Sequence, residues 1–150
     1  MKFAIYLLSI ILLINIITSN SILSSFQNFK KDTLDQDQRI GSNNGKYFAI
    51  MQGDGNFVLY SVKGQNGRNR DFPIWAPTTN NKPRTAPVRV VMQHDGNAVL
   101  YDSKNKVLWA SNSNGKGRPP YNLVMQDDGN LVLYDSSNSP KWASNTNGKR

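Results

Sequence analysis

The chain has no cysteine and no glutamate, and His94 is its one histidine. Without thiols it has no disulfides, no thiol nucleophile and no cysteine zinc site, and a lone histidine cannot build a multi-histidine metal centre. All ten acids are aspartates, set against 18 Lys and Arg, for a formal charge of +8. Composition alone still leaves room for a hydrolase working through paired aspartates. Asn is abundant, yet no Asn-x-Ser/Thr site occurs, so N-glycosylation is not expected. Helix signals are scarce after the first 25 residues, where Gly, Asn, Asp and Pro punctuate the chain every few positions. That pattern predicts an all-β fold. A length of 150 residues is enough for one domain with a modest core.

The N-terminus is a separate matter. Met1 and Lys2 give a short positive start, residues 3–17 are apolar apart from Ser9 and Asn15, and polar Thr18-Ser19-Asn20-Ser21 follows. This is the layout of a secretory signal peptide with cleavage after Ser21. The apolar run falls short of the roughly 18–20 residues a membrane span needs. The expected organisation is therefore a signal peptide at 1–21, a flexible leader at 22–31 and a folded domain at 32–150. The product would be secreted or held in the secretory lumen, with no stable membrane insertion once the signal is removed. Losing Lys2 lowers the charge to +7.

Within the domain, nine residues recur three times. The copies are Gln52-Gly53-Asp54-Gly55-Asn56-Phe57-Val58-Leu59-Tyr60, Gln93-His94-Asp95-Gly96-Asn97-Ala98-Val99-Leu100-Tyr101 and Gln126-Asp127-Asp128-Gly129-Asn130-Leu131-Val132-Leu133-Tyr134. Each fixes Gln, Asp, Asn, Val and Tyr at alternate positions, and an internal repeat points to repeated architecture. A Trp-Ala pair closes every unit, at Trp75, Trp109 and Trp142. The Tyr-to-Trp interval is longer in the first unit, and the extra residues fall in 63–73, a Gly/Asn/Arg-rich stretch that reads as a surface loop. About four short strands per unit predict pseudo-threefold symmetry with the three Trp rings meeting on the axis. Residues 33–40 read as one further strand, followed by a turn at Asn43-Asn44-Gly45.

As one continuous strand the motif would span about 27 Å, too far for one small ligand. Asp-Gly-Asn in its middle is a strong hairpin signal, and folding there brings the Gln towards the Tyr. Alternation then places Phe57 and Leu59 on one face and Val58 and Tyr60 on the other, with the same division in the other two copies. The second face carries amides, a carboxylate and a phenol around a small apolar spot. No acid–base pair or activated nucleophile is present. Sugars suit this combination, since their hydroxyls both donate and accept while the ring offers an apolar C–H face. Asp and Asn at a turn also hydrogen-bond local backbone for purely structural ends, but turn geometry places no demand on the Gln or the Tyr.

Three tandem copies of Gln-x-Asp-x-Asn-x-Val-x-Tyr, each followed by a Trp-Ala strand, resemble the bulb-type (monocot) mannose-binding lectin family over residues 32–150. The resemblance implies a β-prism of three four-stranded antiparallel sheets in pseudo-threefold arrangement, each sheet holding one metal-free carbohydrate site. It implies that Asp and Asn bind the axial 2-hydroxyl of mannose, Gln the 3-hydroxyl and Tyr the 4-hydroxyl, with Val against the ring. The sites so implied are Gln52, Asp54, Asn56, Val58 and Tyr60; Gln93, Asp95, Asn97, Val99 and Tyr101; and Gln126, Asp128, Asn130, Val132 and Tyr134. Two departures stand out: the internal disulfide of many plant members is absent, and the 63–73 loop can cover or extend the first site. Residues 145–150 could exchange between subunits to form a homodimer.

Four rival functions compete. A helix–loop–helix calcium site needs a terminal glutamate, which the chain lacks. Nucleic-acid binding would suit the basic charge, but the basic residues lie mostly in loops and the N-terminus implies export. A glycosidase needs two carboxylates at one bond, and each motif supplies one. A secreted defence or toxin-like protein that uses the prism as a docking module for cell surfaces is the alternative from another class. The expectation is a non-enzymatic lectin without cofactor or metal, whose partners are mannose-containing glycans and glycoproteins rather than nucleic acid.

Overall fold

The computed structural model describes residues 22–24, 32–62, 64 and 69–149. The expected signal peptide lies outside them, as do residues 25–31 of the leader and part of the 63–73 loop. Twelve strands form three four-stranded sheets, ordered β1-β10-β11-β12, β2-β7-β8-β9 and β3-β4-β5-β6. Every pairing is antiparallel.

Each repeat supplies three consecutive strands. The first gives β4 (Tyr47–Met51), β5 (Phe57–Ser61) and β6 (Phe72–Trp75). The second gives β7 (Arg89–Met92), β8 (Ala98–Tyr101) and β9 (Val107–Ala110). The third gives β10 (Asn122–Met125), β11 (Leu131–Tyr134) and β12 (Pro140–Ala143). Phe72 and Pro73, expected in the loop, begin β6 opposite Ser61 and Tyr60. Pro73 is tolerated because β6 is an edge strand and needs no outward donor.

The fourth strand of each sheet comes from the N-terminal segment, not from the repeat itself. β1 (Ile22–Ser24) completes the third repeat's sheet, β2 (Thr33–Asp35) the second's and β3 (Arg39–Gly41) the first's. Two expectations are corrected here. Residues 22–24, read as flexible leader, are paired backbone, with Leu23 opposite Leu123. Residues 33–40, read as one strand, are two strands in different sheets, parted by a turn in which Asp37 takes φ 67°. The physical reason is shared: each three-residue strand delivers one buried aliphatic, Leu23, Leu34 or Ile40, to the core. A continuous strand could deliver them to one sheet only.

Strand alternation builds that core. Phe57 and Leu59, Ala98 and Leu100, and Leu131 and Leu133 point inward with Met51, Met92 and Met125. Full burial of such a side chain contributes roughly 1.5–3 kcal/mol. The three Trp rings meet pairwise at 5.5–5.7 Å between centroids and 70–73° between planes. This edge-to-face triangle is electrostatically favourable. The rings are only partly buried and pack against the core from its margin.

The repeats also interlock in a closed cycle. Tyr47 of the first lies over Gly129 of the third, Tyr121 of the third over Gly96 of the second, and Arg84, just before the second, over Gly55 of the first. At the first of these joints Asn44 adds two bonds to Asp127, from its backbone N to Oδ1 (2.8 Å) and from Nδ2 to the carbonyl (2.9 Å).

Candidate functional site

The motif folds into a five-residue hairpin loop in every copy. In the first, Met51 is the last residue paired with Phe57, Gln52 N donates to Asn56 O (2.9 Å) and Gly55 N to Gln52 O (2.9 Å). Gly55, Gly96 and Gly129 take φ of 84°, 91° and 88°, the left-handed region that favours glycine. One carboxylate oxygen of each Asp accepts from the backbone N of the motif Asn, at 2.9 Å in all three loops. Local turn-making thus occupies half of each carboxylate. The other oxygen of Asp54, Asp95 and Asp128 has no hydrogen-bond partner among the described residues, and the three side chains are exposed.

The Asn side chains are oriented from beneath. Asn56 Oδ1 accepts from Thr79 N (3.1 Å). Asn97 Oδ1 accepts from Ser111 Oγ (2.9 Å) and Ser113 N (3.4 Å), and Asn130 Oδ1 from Ser144 Oγ (3.1 Å) and Thr146 N (3.2 Å). Because a backbone N–H can only donate, the amide oxygen must point inward. Each Nδ2 is left as the unused donor, on a half-buried side chain at Asn97 and Asn130 and on a buried one at Asn56.

At the other end of the site each Gln Nε2 donates to the motif Tyr hydroxyl: Gln52 to Tyr60 (2.9 Å), Gln93 to Tyr101 (2.8 Å) and Gln126 to Tyr134 (2.7 Å). This leaves the phenol proton free to donate and the Gln Oε1 free to accept. Val58, Val99 and Val132 lie on the same face as the Tyr, buried yet outside the core cluster. All fifteen sequence-derived positions thus form three matching constellations, each with unused acceptors and donors around an aliphatic side chain.

Sequence reasoning missed the supporting layer. Thr79, Ser113 and Thr146 also donate through their hydroxyls to the carbonyls of Gly55, Gly96 and Gly129 (2.6–2.7 Å). The signal was a Ser/Thr three residues after each Trp-Ala alanine, at 79, 113 and 146. The first site is the least braced. Ser111 and Ser144 each bond both the motif Asn and the backbone N of Ala98 or Leu131, and Pro77 stands in their place in the first unit.

Behind the second and third sites, Asp102 and Asp135 close the tight turns after the motif Tyr. Burial pushes the Asp102 carboxyl up, but the backbone N–H groups of Lys106, Thr85 and Lys104 outweigh it and hold it below the ordinary value. For Asp135 the Ser137 hydroxyl is the largest influence; with the Lys141 ammonium at 3.0 Å and two backbone donors it overcomes burial and holds the carboxyl well below the usual range. The first unit has Ser61 here, with no hydroxyl partner among the described residues. A Ser cannot gather several turn amides, and the connection that follows is the long one.

A three-sheeted antiparallel prism with the same polar constellation on each face defines a β-prism lectin. No family model matches the chain. It is 44% identical over 63 residues to a mannose-specific lectin of Narcissus pseudonarcissus, covering 42% of this chain and 49% of that one. The chain spans about half the length of the curated relatives it matches. Among solved structures it is similar to the monomeric monocot mannose-binding lectins of Gastrodia elata (37% identity, TM-score 0.66, 85% of this chain and 99% of that one). It is likewise similar to the mannose-specific agglutinin of snowdrop, Galanthus nivalis, complexed with methyl-α-D-mannoside (35%, TM-score 0.61, 85% and 97%). The chain belongs to the bulb-type (monocot) mannose-binding lectin family.

Proposed function

We propose that this chain is a secreted lectin that binds terminal α-mannose on glycoproteins or microbial and cell-surface glycans, without metal, through up to three sites. One observation carries the reading: three loops present the same polar set, a free Asp oxygen, an Asn Nδ2 held by its inward oxygen, and a Gln–Tyr pair bonded at 2.7–2.9 Å. Such a set grips hydroxyls and performs no reaction. The Asp and Asn engage the axial 2-hydroxyl, the Gln the 3-hydroxyl and the Tyr the 4-hydroxyl, with Val against the ring.

A single shallow site binds a monosaccharide weakly, on the order of 1 mM. Three sites on one rigid body raise apparent affinity on a dense glycan by about 10²–10⁴. A homodimer through C-terminal exchange would multiply this. It would have to replace, bond for bond, the contacts that Thr146 and Gly148 make with the third loop of their own chain. The basic side chains keep the domain soluble and bias it towards anionic surfaces, with no nucleic-acid partner. Export rests on residues 1–21, the expected signal peptide.

Titration with methyl-α-mannoside, followed by calorimetry or NMR, tests this reading. Saturation at three sites per chain, unchanged by a chelator, is expected. No saturable binding of any mannoside, or release of reducing sugar from a mannan, overturns it.

A further inference from the structure

The three constellations match in their five motif residues and part company at the next position along the sheet. Register places Phe48 opposite Tyr60, Arg89 opposite Tyr101 and Asn122 opposite Tyr134. Directly opposed residues of an antiparallel pair share a face, so each stands beside the motif phenol at the margin of its site. Phe48 stacks on Tyr60 at 5.2 Å and 17°. Asn122 is neutral. Arg89 brings a permanent positive charge.

That charge is oriented and not neutralised. Arg89 Cζ lies 5.3 Å from the Tyr101 ring centroid, while Nη1 donates to the Asp102 carbonyl (3.1 Å) and Nη2 to Asn105 Oδ1 (2.5 Å). Both acceptors are uncharged, and they use two of the guanidinium's five donors. Among the described residues the one ion pair joins Lys141 to Asp135. Asp35 stands opposite Arg89 on β2, exposed and forming no ion pair with it. The first site has a cation one ring further out, Arg39 over Phe48 at 5.1 Å.

From this geometry we infer that Arg89 makes the second site selective for mannose bearing a phosphate beside the hydroxyl held by Tyr101, so that the three sites of one chain read different glycans. The inference rests on the mannose reading above. A pyranose engaging Tyr101 through one hydroxyl carries its neighbouring substituent within a few bonds of the phenol, within reach of a guanidinium stacked on that ring. A phosphate there meets a planar fork with free donors and opposite charge, a pairing stronger than one between neutral groups. Partial exposure limits the gain to roughly three- to tenfold. Preference for the phosphorylated sugar should fall from the second site to the first to the third.

The side-chain amide signals of Gln52, Gln93 and Gln126 report the three sites separately in the ¹⁵N-labelled chain. It is titrated with methyl-α-mannoside and with mannose 6-phosphate at two ionic strengths. The expected result is a dissociation constant at Gln93 roughly three- to tenfold lower for the phosphosugar, narrowing at high salt, with little difference at Gln126. Arg89→Gln should bring the two constants at Gln93 together, Arg89→Lys should keep part of the gap, and Asp35→Asn should widen it. Equal affinities at Gln93 in the parent chain overturn the inference and leave the mannose reading intact. So does a phosphosugar response that free mannose does not displace. If neither sugar moves any of the three amides, the mannose reading itself falls.

Discussion

The ring of Tyr121 lies against Gly96 so closely that a Cβ on the glycine would stand 2.7 Å from its Cζ. Gly96 also holds φ 91°, where an L side chain is strained. Gly96→Ala should therefore cost about 2–3 kcal/mol or more, from backbone strain and the displaced ring together. Urea unfolding measures it. A change within a few tenths would show that the Tyr121 roof is loose.

Asp128→Asn separates site from scaffold. The amide oxygen can still accept from Asn130 N, which preserves the turn, while the outward group loses its charge and becomes a donor. Mannoside stoichiometry should fall from three to two with the melting temperature nearly unchanged. Asn130→Ala is the poorer test, because it strips the partner of Thr146 N and Ser144 Oγ and should destabilise by about 1–3 kcal/mol.

Thr78 takes φ 55°, and its counterparts Asn112 and Asn145 take 54° and 55°. Asn tolerates this left-handed conformation, whereas β-branched Thr resists it. Thr78→Asn should stabilise the fold by about 0.5–1 kcal/mol, read as a rise in melting temperature. A fall would mean that the Thr78 side chain, whose hydroxyl donates to the Pro77 carbonyl at 2.8 Å, does more than occupy a turn.

Acid should unfold the protein from the side of Asp102 and Asp135. Both carboxyls are held below the ordinary value near 3.8, so the folded state binds these protons less readily than the unfolded one. Their contribution is present above about pH 4 and drains away as pH falls through the lowered folded values. The melting temperature should be level from pH 7 to 5 and drop below 4. Asp135→Asn should lower it at neutral pH and flatten the acid slope, and an unaltered slope would show that other groups govern acid unfolding.

The sequence was most legible where the pattern was local and repeated. Period-two alternation around Asp-Gly-Asn was enough to divide Val58 and Tyr60 from Phe57 and Leu59, and three Trp-Ala pairs pointed to a shared aromatic centre. The partners of Leu23 and Leu34 were hidden, because three-residue strands carry too little alternation to register and their mates lie far along the chain, whereas Ile40 meets Ala49 across the turn marked by Asn43-Asn44-Gly45. The Ser/Thr props beneath each Asn were written in the sequence as a third repeated signal. They escaped notice because their role appears only once the chain has turned back under its own hairpin. Arg89 was hidden differently: only the pairing register sets it beside Tyr101.

Leu23 meets Leu123 across β1 and β10, a hundred residues further on. During synthesis the earliest strand thus leaves the ribosome long before its mate exists, and Leu34 waits in turn for Val90. Contacts of such long sequence separation form late and slowly. No sheet can complete itself in isolation from this opening stretch, so a nascent chain stopped after two repeats would leave Leu23 with no strand to join.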